Sequence, residues 1–331
     1  MRRVVPLLAC LILAVSAGLG AYLELGSQVG SQIVALQWKR FPIRYFVGNR
    51  DSSGVTSPAL QQAVDRAFAT WKAVPGTPIT TEFGGFTSNQ PFAADNVSVI
   101  GFRSRPDLDR TLGATTFNLD LITGEVLEAD IFLNTAFNWS VEASGEADRF
   151  DVESILLHEI GHVLGLGHSA LGETELTAPG RRRVIAKGAV MFPIAFGSGS
   201  VTDRHLQPDD QAGLVSIYTA PSGQRALGSV SGRVILNGTG VFGAHVTAFN
   251  PSTGAVVGTF TLNQQGEFVT QGLTPGMYVL RAEPLDDADV ESFFGAEVVV
   301  NINFKPAFAA TLVAVPAGGT SDSVSITVTA K

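Results

Sequence analysis

The chain has 331 residues, of which 45% are hydrophobic and 16% charged, and its formal net charge is −8. This composition excludes a disordered chain, because apolar residues are plentiful enough to build cores, and the length suits two domains. The negative charge argues against a nucleic-acid partner, since binding to a phosphate backbone rests on clustered lysine and arginine. The arginine run at residues 181–183 reads as a solvated or protease-sensitive loop.

The first 21 residues predict a secretory signal peptide. Arg2 and Arg3 precede an apolar stretch over residues 4–15, and small residues follow it, which is the order of a cleavable export signal. The apolar stretch is too short to predict a stable membrane span. We therefore expect a secreted or extracellular protein, with the cell surface or the periplasm as alternatives. Cys10 is the only cysteine, and lipidation there is a further alternative because LLAC resembles a lipobox.

Composition then divides the chain into four further parts. A short segment covers residues 22–37, and residues 38–220 mix strand and helix patterns. Residues 221–228 lie in a stretch rich in proline, glycine and serine, which is typical of a linker. Residues 229–331 hold short β-rich runs separated by glycine, proline and asparagine, which predicts an all-β sandwich.

Two helices and several strands are predicted before the linker. The first helix spans residues 57–71, with Ser57 as its cap and Pro58 in its first turn. The second begins after Asp151, whose side chain can cap it. Predicted strands cover residues 43–47, 97–102, 112–118 and 126–133.

Three of the five histidines of the chain lie in the second helix or directly after it. His158 and His162 are four residues apart, so they project from one face and can both reach one metal ion. Glu159 can lean over the same site without binding the metal. Gly165 permits the left-handed turn that ends the helix, and His168 can then return as the third ligand. Three histidines leave a fourth position open for water, as a catalytic zinc needs.

The alternative for these histidines is a structural role in the core. Three buried histidines within one short segment would require three separate sets of buried partners, because a buried polar group without a hydrogen bond costs free energy. We therefore interpret the segment as a zinc site with His158, His162 and His168 as ligands and Glu159 as general base.

The extended pattern HExxHxxGxxH, followed directly by serine, resembles the matrixin branch of the metzincin zinc peptidases. Four other segments also resemble matrixins in the same order along the chain: AVDRAFATWKAV at 63–74, EADIFLN at 128–134, AVMFP at 189–193 and LQPDDQAGLVSIY at 206–218. The resemblance implies an α+β catalytic domain, with a twisted mixed sheet and an active-site helix. It also implies a zinc-dependent endopeptidase that acts on protein or peptide substrates.

The resemblance assigns roles to three further residues. Met191 would form a hydrophobic floor under the zinc site without binding zinc. Asp209 and Asp210 would cap the last helix, because Pro208 suits a helix start. In the family this pair can also bind a newly cut N-terminus, which remains the alternative role.

Several features depart from the family pattern. No histidine precedes His158, so the second, structural zinc of vertebrate matrixins cannot be built in its usual way. Glu24 is the only carboxylate of residues 22–37, and it is a candidate for blocking the zinc. Residues 170–188 form either an inserted loop or a processing site at residues 181–183. Structural Ca²⁺ is common in the family, and candidate ligands are Asp107, Asp109, Asp120 and Asp130, with solvated surface carboxylates as the alternative.

Residues 232–283 have a resemblance of their own, to carboxypeptidase-regulatory-like or transthyretin-like domains. The pieces that carry it are GAHVTAFN, the turn TLNQQGEF and GLTPGMYVL. The resemblance implies a seven-stranded sandwich that either stabilises the chain or docks substrate or a cell surface. Two functions follow for the whole protein: a secreted zinc endopeptidase, or a non-proteolytic surface-binding protein with a vestigial peptidase domain.

Overall fold

The structure is a computed structural model that describes residues 6–7, 24–29, 32–178, 181–219, 226–294 and 298–331. Apart from residues 6–7, the predicted signal peptide, including Cys10, lies outside the described residues. So do residues 221–225 of the predicted linker. The longest helix in the described part has 16 residues, and a bilayer-crossing helix is not found there.

The bounds of the elements are as follows. The helices are α1 (Ser57–Lys72), α2 (Val152–Val163) and α3 (Pro208–Tyr218), and a 3-10 helix covers Val290–Ser292. The strands are β1 (Pro6–Leu7), β2 (Gly26–Val29), β3 (Gln32–Ala35), β4 (Ile43–Gly48), β5 (Thr81–Thr87), β6 (Val99–Arg103), β7 (Gly113–Asp120), β8 (Glu125–Asn134), β9 (Trp139–Ser140), β10 (Phe150–Asp151), β11 (Gly172–Ala178), β12 (Arg181–Lys187), β13 (Gly228–Leu236), β14 (Thr239–Gly240), β15 (His245–Phe249), β16 (Val256–Phe260), β17 (Glu267–Leu273), β18 (Gly276–Glu283), β19 (Phe304–Lys305), β20 (Ala307–Phe308), β21 (Val313–Val315) and β22 (Thr320–Ala330).

The residue that caps the first helix lies one position earlier than predicted. Thr56, not Ser57, is the cap, because Thr56 has extended backbone and its side chain accepts a hydrogen bond from the Ala59 N–H at 3.4 Å. Ser57 is already helical, and its hydroxyl donates to Asp51 at 3.0 Å. The assignment of Ser57 as the cap was therefore wrong, since either neighbouring hydroxyl fits the pattern and only the backbone angles separate them.

The described chain divides into two compact units. The first contains Leu36–Gly165 and Ala195–Leu206, and the second contains Leu166–Ile194 and Gln207–Lys331. This division differs from the predicted boundary at residues 221–228, because Leu166–Ile194 and α3 group with the C-terminal strands.

The first unit is built on a mixed sheet, as predicted. Its six strands lie in the order β1-β7-β8-β6-β4-β5. Strands β4, β5, β6 and β8 run parallel to their neighbours within that group, while β7 is antiparallel to β8 and to β1. Helices α1 and α2 belong to the same unit, and the indole N–H of Trp71 on α1 donates to the Leu157 carbonyl of α2 at 2.8 Å. A second indole, Trp38, donates to the Val163 carbonyl at 2.9 Å and so holds the end of α2.

The second unit contains two five-stranded sheets that share one hydrophobic core. One has the order β14-β13-β22-β19, with β17 also paired to β13, and the other has the order β16-β15-β18-β20, with β21 also paired to β18. Their common core includes Val230 and Phe268 from the first sheet and Val246 and Leu280 from the second. Three of these ten strands have only two residues, so the predicted count of seven stays a prediction.

Helix α3 contributes to this same core. Ala212 on α3 is buried in the cluster formed by the two sheets. Gly272 of β17 has a positive φ of 70°, and a Cβ at that position would lie 3.0 Å from the Cβ of Ala212. Glycine therefore permits the close approach of helix and strand.

Candidate metal centre

The three predicted ligand histidines lie together. The ligand atoms offered by His158, His162 and His168 all lie within 4.8 Å of one another, and each residue is half-buried. His158 and His162 are one turn apart on α2, with ring centroids 4.8 Å apart and rings nearly perpendicular at 87°. Three imidazole nitrogens that converge in this way are compatible with zinc binding, because zinc takes nitrogen ligands in an open tetrahedral set.

The helix that presents the first two histidines starts and stops as predicted. Asp151 caps α2, with its side chain accepting the Ser154 N–H at 2.9 Å. The helix ends at Val163, and Gly165 has a positive φ of 93°. This left-handed residue reverses the chain and allows His168 to approach His158 and His162.

His168 has a hydrogen-bond partner far along the chain. Its Nδ1 lies 2.5 Å from the backbone carbonyl oxygen of Ser292. A carbonyl oxygen can only accept, so this contact places the proton on Nδ1 and leaves Nε2 as the nitrogen for a metal. Burial lowers the pKa of His168, although the Ser292 carbonyl acts in the opposite direction. The neutral ring that results is the form that binds metals.

Glu159 lies beside the histidines in sequence, and its side chain is only 5% exposed. The hydroxyl of Thr115 on β7 donates to Glu159 Oε2 at 2.8 Å. Burial raises the pKa of Glu159 to about 7, and the Thr115 hydrogen bond acts against this rise. Sequence reasoning missed Thr115, because one threonine in a strand gives no signal of which helix it faces.

A glycine keeps space open next to this carboxylate. A Cβ at Gly113 would lie 3.2 Å from Glu159 Oε1 and 3.1 Å from the Phe132 carbonyl oxygen. A side chain there would crowd both the Glu159 carboxylate and the backbone of β8, so Gly113 is a further residue of the site that sequence reasoning did not identify.

The predicted Met-turn is fixed by one buried carboxylate. Asp210 accepts the backbone N–H groups of Val190 at 2.9 Å, Met191 at 3.1 Å and Gln207 at 2.8 Å. Burial raises the pKa of Asp210 to about 6, opposed by those N–H groups. Met191 is fully buried, and its carbonyl accepts the Ser169 N–H at 2.9 Å. The cap role predicted for Asp210 is confirmed, because it also completes a capping box with Gln207 at the start of α3.

Asp209 has a different set of partners from its neighbour. One of its oxygens accepts the Ser169 hydroxyl at 2.6 Å, and the other accepts the Gly258 backbone N–H at 2.7 Å. The residue is fully buried. Its carboxylate therefore joins the residue after His168 to strand β16, where the sequence suggested a helix cap or a site for a cut N-terminus.

The four candidate calcium ligands are not brought together. Asp107 pairs with Arg105 at 2.7 Å, and Asp109 is exposed. Asp120 accepts turn N–H groups, and Asp130 is buried with three backbone N–H donors. Within the described residues, the converging group of three or more histidine, cysteine or acidic side chains is the histidine group alone.

The carboxylate of Glu24 contacts helix α3 and not the three histidines. Its carboxylate accepts the Ser216 hydroxyl of α3 at 2.9 Å, and its backbone forms an isolated bridge with Leu166. Burial raises the pKa of Glu24, against the effect of the Ser216 hydrogen bond. The proposal that Glu24 blocks a zinc was therefore wrong: the carboxylate is used by α3.

The segment predicted as an inserted loop is a hairpin. Strands β11 and β12 pair antiparallel from Gly172–Lys187 at one end to Ala178–Arg181 at the other. The arginine run lies in β12, where Arg183 pairs with Glu175, and Arg182 donates to the Asp286 carbonyl at 2.9 Å. A signal for the hairpin existed, since a Pro-Gly pair, typical of turns, separates the two runs in the sequence.

The family match of this chain covers the residues that contain the three histidines. The profile of the matrixin family matches residues 37–219. A stretch of 184 residues is 29% identical to metalloendoproteinase 2-MMP of Arabidopsis thaliana and covers 51% of this chain and 40% of that protein. A stretch of 187 residues is 24% identical to stromelysin-1 of Mus musculus and covers 56% of this chain and 34% of that protein. The chain thus spans well under half the length of these two relatives.

Two solved structures are similar over a part of the fold. The Bacillus anthracis TIE protein is 12% identical, with a TM-score of 0.22, over 32% of this chain and 17% of its own. A DUF3823 family protein from Parabacteroides merdae is 18% identical, with a TM-score of 0.20, over 31% of this chain and 46% of its own.

Proposed function

The chain belongs to the matrixin family, and from that premise we propose that it is a zinc-dependent metalloendopeptidase that hydrolyses peptide bonds in proteins or peptides. The observation that carries the proposal is the convergence of three histidines within 4.8 Å, next to a buried glutamate that accepts the Thr115 hydroxyl and whose pKa is raised by burial. The relatives named metalloendoproteinases support the same reaction class.

The donor set fits zinc. His158, His162 and His168 would hold the ion, and three imidazoles leave a fourth position for a substrate or a water. When bound, zinc would polarise a peptide carbonyl and lower the pKa of a water from about 15.7 towards ~7. The candidate ligands for a structural Ca²⁺ do not converge in this way among the described residues, so we propose zinc alone.

Glu159 supplies the proton transfers. Its carboxylate accepts one proton from the attacking water as the water oxygen bonds to the peptide carbonyl carbon. It then donates that proton to the peptide nitrogen as the C–N bond breaks. Thr115 keeps Oε2 oriented through its 2.8 Å hydrogen bond, so that the acid and base steps use one fixed carboxylate.

The chain's location and partners follow from the sequence. We propose secretion through the export signal of residues 1–21, so that the substrates are extracellular proteins or peptides. The boundaries of the peptidase domain at 38–220 and of a transthyretin-like domain at 229–331 also remain proposals.

Replacement of Glu159 by glutamine tests the reaction. Glu159→Gln keeps the shape of the side chain but cannot accept a proton, so we expect cleavage of an unfolded protein to fall about 10²–10⁴-fold. Zinc content should remain near one ion per chain, because Glu159 is not a ligand. The measurement is cleavage rate together with zinc content in the full chain.

His205→Ala is the matched control for loss of a histidine, since His205 is exposed and lies outside the histidine group. It should leave both cleavage and zinc content unchanged, whereas His158→Ala should lose both. Equal cleavage by Glu159→Gln and the unchanged protein would contradict the role of Glu159, and the absence of cleavage by the unchanged, zinc-loaded protein would favour a non-proteolytic binding protein.

A further inference from the structure

The C-terminal β-sheets contact the segment that carries the third histidine. We propose that these sheets form part of the zinc centre, with the Ser292 carbonyl acting as a positioning group for His168. This inference rests on the proposed zinc site. It assigns to the C-terminal sheets a role in metal binding, beyond a stabilising or docking role.

The first observation is the hydrogen bond on the ring of His168. Nδ1 lies 2.5 Å from the Ser292 carbonyl oxygen, and 124 residues separate the two in sequence. Outer partners of this kind fix the tautomer and the ring orientation of a metal-binding histidine, and their loss typically costs about 10–100-fold in metal affinity. The orienting partner of the third ligand is thus supplied by the C-terminal part of the chain.

The position of Ser292 is itself fixed by aromatic packing. Ser292 ends a 3-10 helix and is followed by Phe293 and Phe294, which are both buried. The rings of Phe293 and Phe294 pack on Phe260 of β16, with centroid distances of 5.6 and 5.7 Å. Because β16 is a strand of the second sheet, the carbonyl of Ser292 is held by packing against that sheet and not by a free loop.

The chain before Ser292 is held as well. Thr174 of β11 donates its backbone N–H to Asp287 Oδ1 at 2.9 Å and its hydroxyl to the Asp287 carbonyl at 2.6 Å. The β11–β12 hairpin, which follows His168 in sequence, is therefore tied to the segment leading to Ser292.

An independent contact fixes the residue next to His168. Asp209 accepts the Ser169 hydroxyl with one oxygen and the Gly258 N–H of β16 with the other. A Cβ at Gly258 would lie 2.8 Å from His245 Nε2, so a side chain there would force His245 to shift. All of these residues lie in the second compact unit, together with His168. Two separate contacts thus place His168 relative to the C-terminal sheets.

A pair of phenylalanine substitutions in the full chain tests the inference. Phe294→Ala removes a ring that holds the Ser292 segment, and Phe304→Ala removes an equally buried ring from the separate core between the two sheets. We expect Phe294→Ala to raise the zinc dissociation constant at least tenfold, and Phe304→Ala to leave it within about twofold. The measurement is competition for zinc with a chromophoric chelator.

The tautomer of His168 provides a second readout, which in the unchanged protein needs no substitution in the core. In ¹⁵N spectra of the zinc-free full chain, assigned against His168→Gln, we expect the proton of His168 on Nδ1. The same signal should become a mixture of tautomers in Phe294→Ala. A proton on Nε2 in the unchanged protein, or equal zinc affinity of Phe294→Ala and the unchanged protein, would overturn the inference.

These outcomes separate the inference from the proposed function. Tight zinc binding that weakens in Phe294→Ala, without any proteolysis, would contradict the endopeptidase and support the positioning role. Proteolysis with a zinc affinity that is equal in Phe294→Ala and the unchanged protein would support the endopeptidase and overturn the positioning role.

Discussion

At the scale of single residues, the proposed chemistry depends on how Glu159 is held. Its identity and its neighbours in the motif could be read from the sequence, because HExxH places both histidines on one helix face. Thr115 and Gly113 could not be identified from the sequence, since both lie on β7, 44 and 46 residues before Glu159. Strand residues that face a helix have no fixed sequence spacing to that helix. The role of the Ser292 carbonyl could not be predicted from the sequence for a stronger reason. Every residue has a backbone carbonyl, so no residue type indicates which carbonyl is used.

Removal of the Thr115 hydroxyl tests the orientation of the glutamate. Thr115→Val keeps the branched shape but loses the 2.8 Å hydrogen bond to Oε2. We expect kcat to fall about tenfold, which corresponds to about 1.4 kcal/mol, with zinc affinity unchanged. Steady-state cleavage of a short peptide measures this.

The neighbouring Thr116 provides the control, because adjacent strand residues face opposite sides of the sheet. Thr116→Val should leave kcat unchanged. A fall in kcat that is equal in both variants would show that the loss comes from β7 as a whole and not from the contact with Glu159.

At the scale of elements, the bounds of a regular helix could be predicted from the sequence, whereas the pairing of distant segments could not. Helix α2 starts after Asp151 and ends before Gly165, as its cap and its stop signal indicate. The β11–β12 hairpin was predicted as a loop, because both of its strands are half-exposed and charged and so lack a clear apolar alternation. The partner that holds it, the segment before Ser292, lies more than 100 residues away.

Strand β8 provides an element-scale prediction. Asp130 on β8 accepts the N–H groups of Phe92 at 2.6 Å, Ala93 at 3.3 Å and Val99 at 2.7 Å, and so fixes the loop before β6. Burial raises the pKa of Asp130 from 3.8 to about 7, opposed by those N–H groups. A raised pKa in the folded state means that the contribution of Asp130 to stability is full below pH 3.8 and is lost as the pH rises to about 7.

In the variant Asp130→Asn, residue 130 has no carboxyl group that titrates between these pH values. The unfolding free energy of the unchanged protein, relative to that of Asp130→Asn, should therefore fall by a few kcal/mol across this pH interval, since one pKa unit corresponds to about 1.4 kcal/mol. Urea unfolding at a series of pH values measures the difference. Asp109→Asn, at an exposed position, should stay within about 0.5 kcal/mol of the unchanged protein at each pH. If the unfolding free energy of the unchanged protein rose with pH relative to that of Asp130→Asn, the raised pKa assigned to Asp130 would be contradicted.

At the scale of the whole molecule, the mixed sheet of the first unit was predicted from the resemblance to matrixins, and the β-rich C-terminal region from composition and periodicity. The grouping of Leu166–Ile194 and α3 with the C-terminal strands was not. Composition marks a linker by its residue types, but it does not show which elements share a core. Ala212 enters the core of the two sheets because Gly272 leaves room for it, and that contact joins positions 60 residues apart.

Titration of zinc into the metal-free full chain tests the central claim most directly. The cleavage rate of an unfolded protein should rise in proportion to bound zinc and reach its plateau at one zinc per chain, because the described residues hold one converging histidine group. Cleavage by the zinc-free chain, or its absence at one bound zinc per chain, would contradict the account.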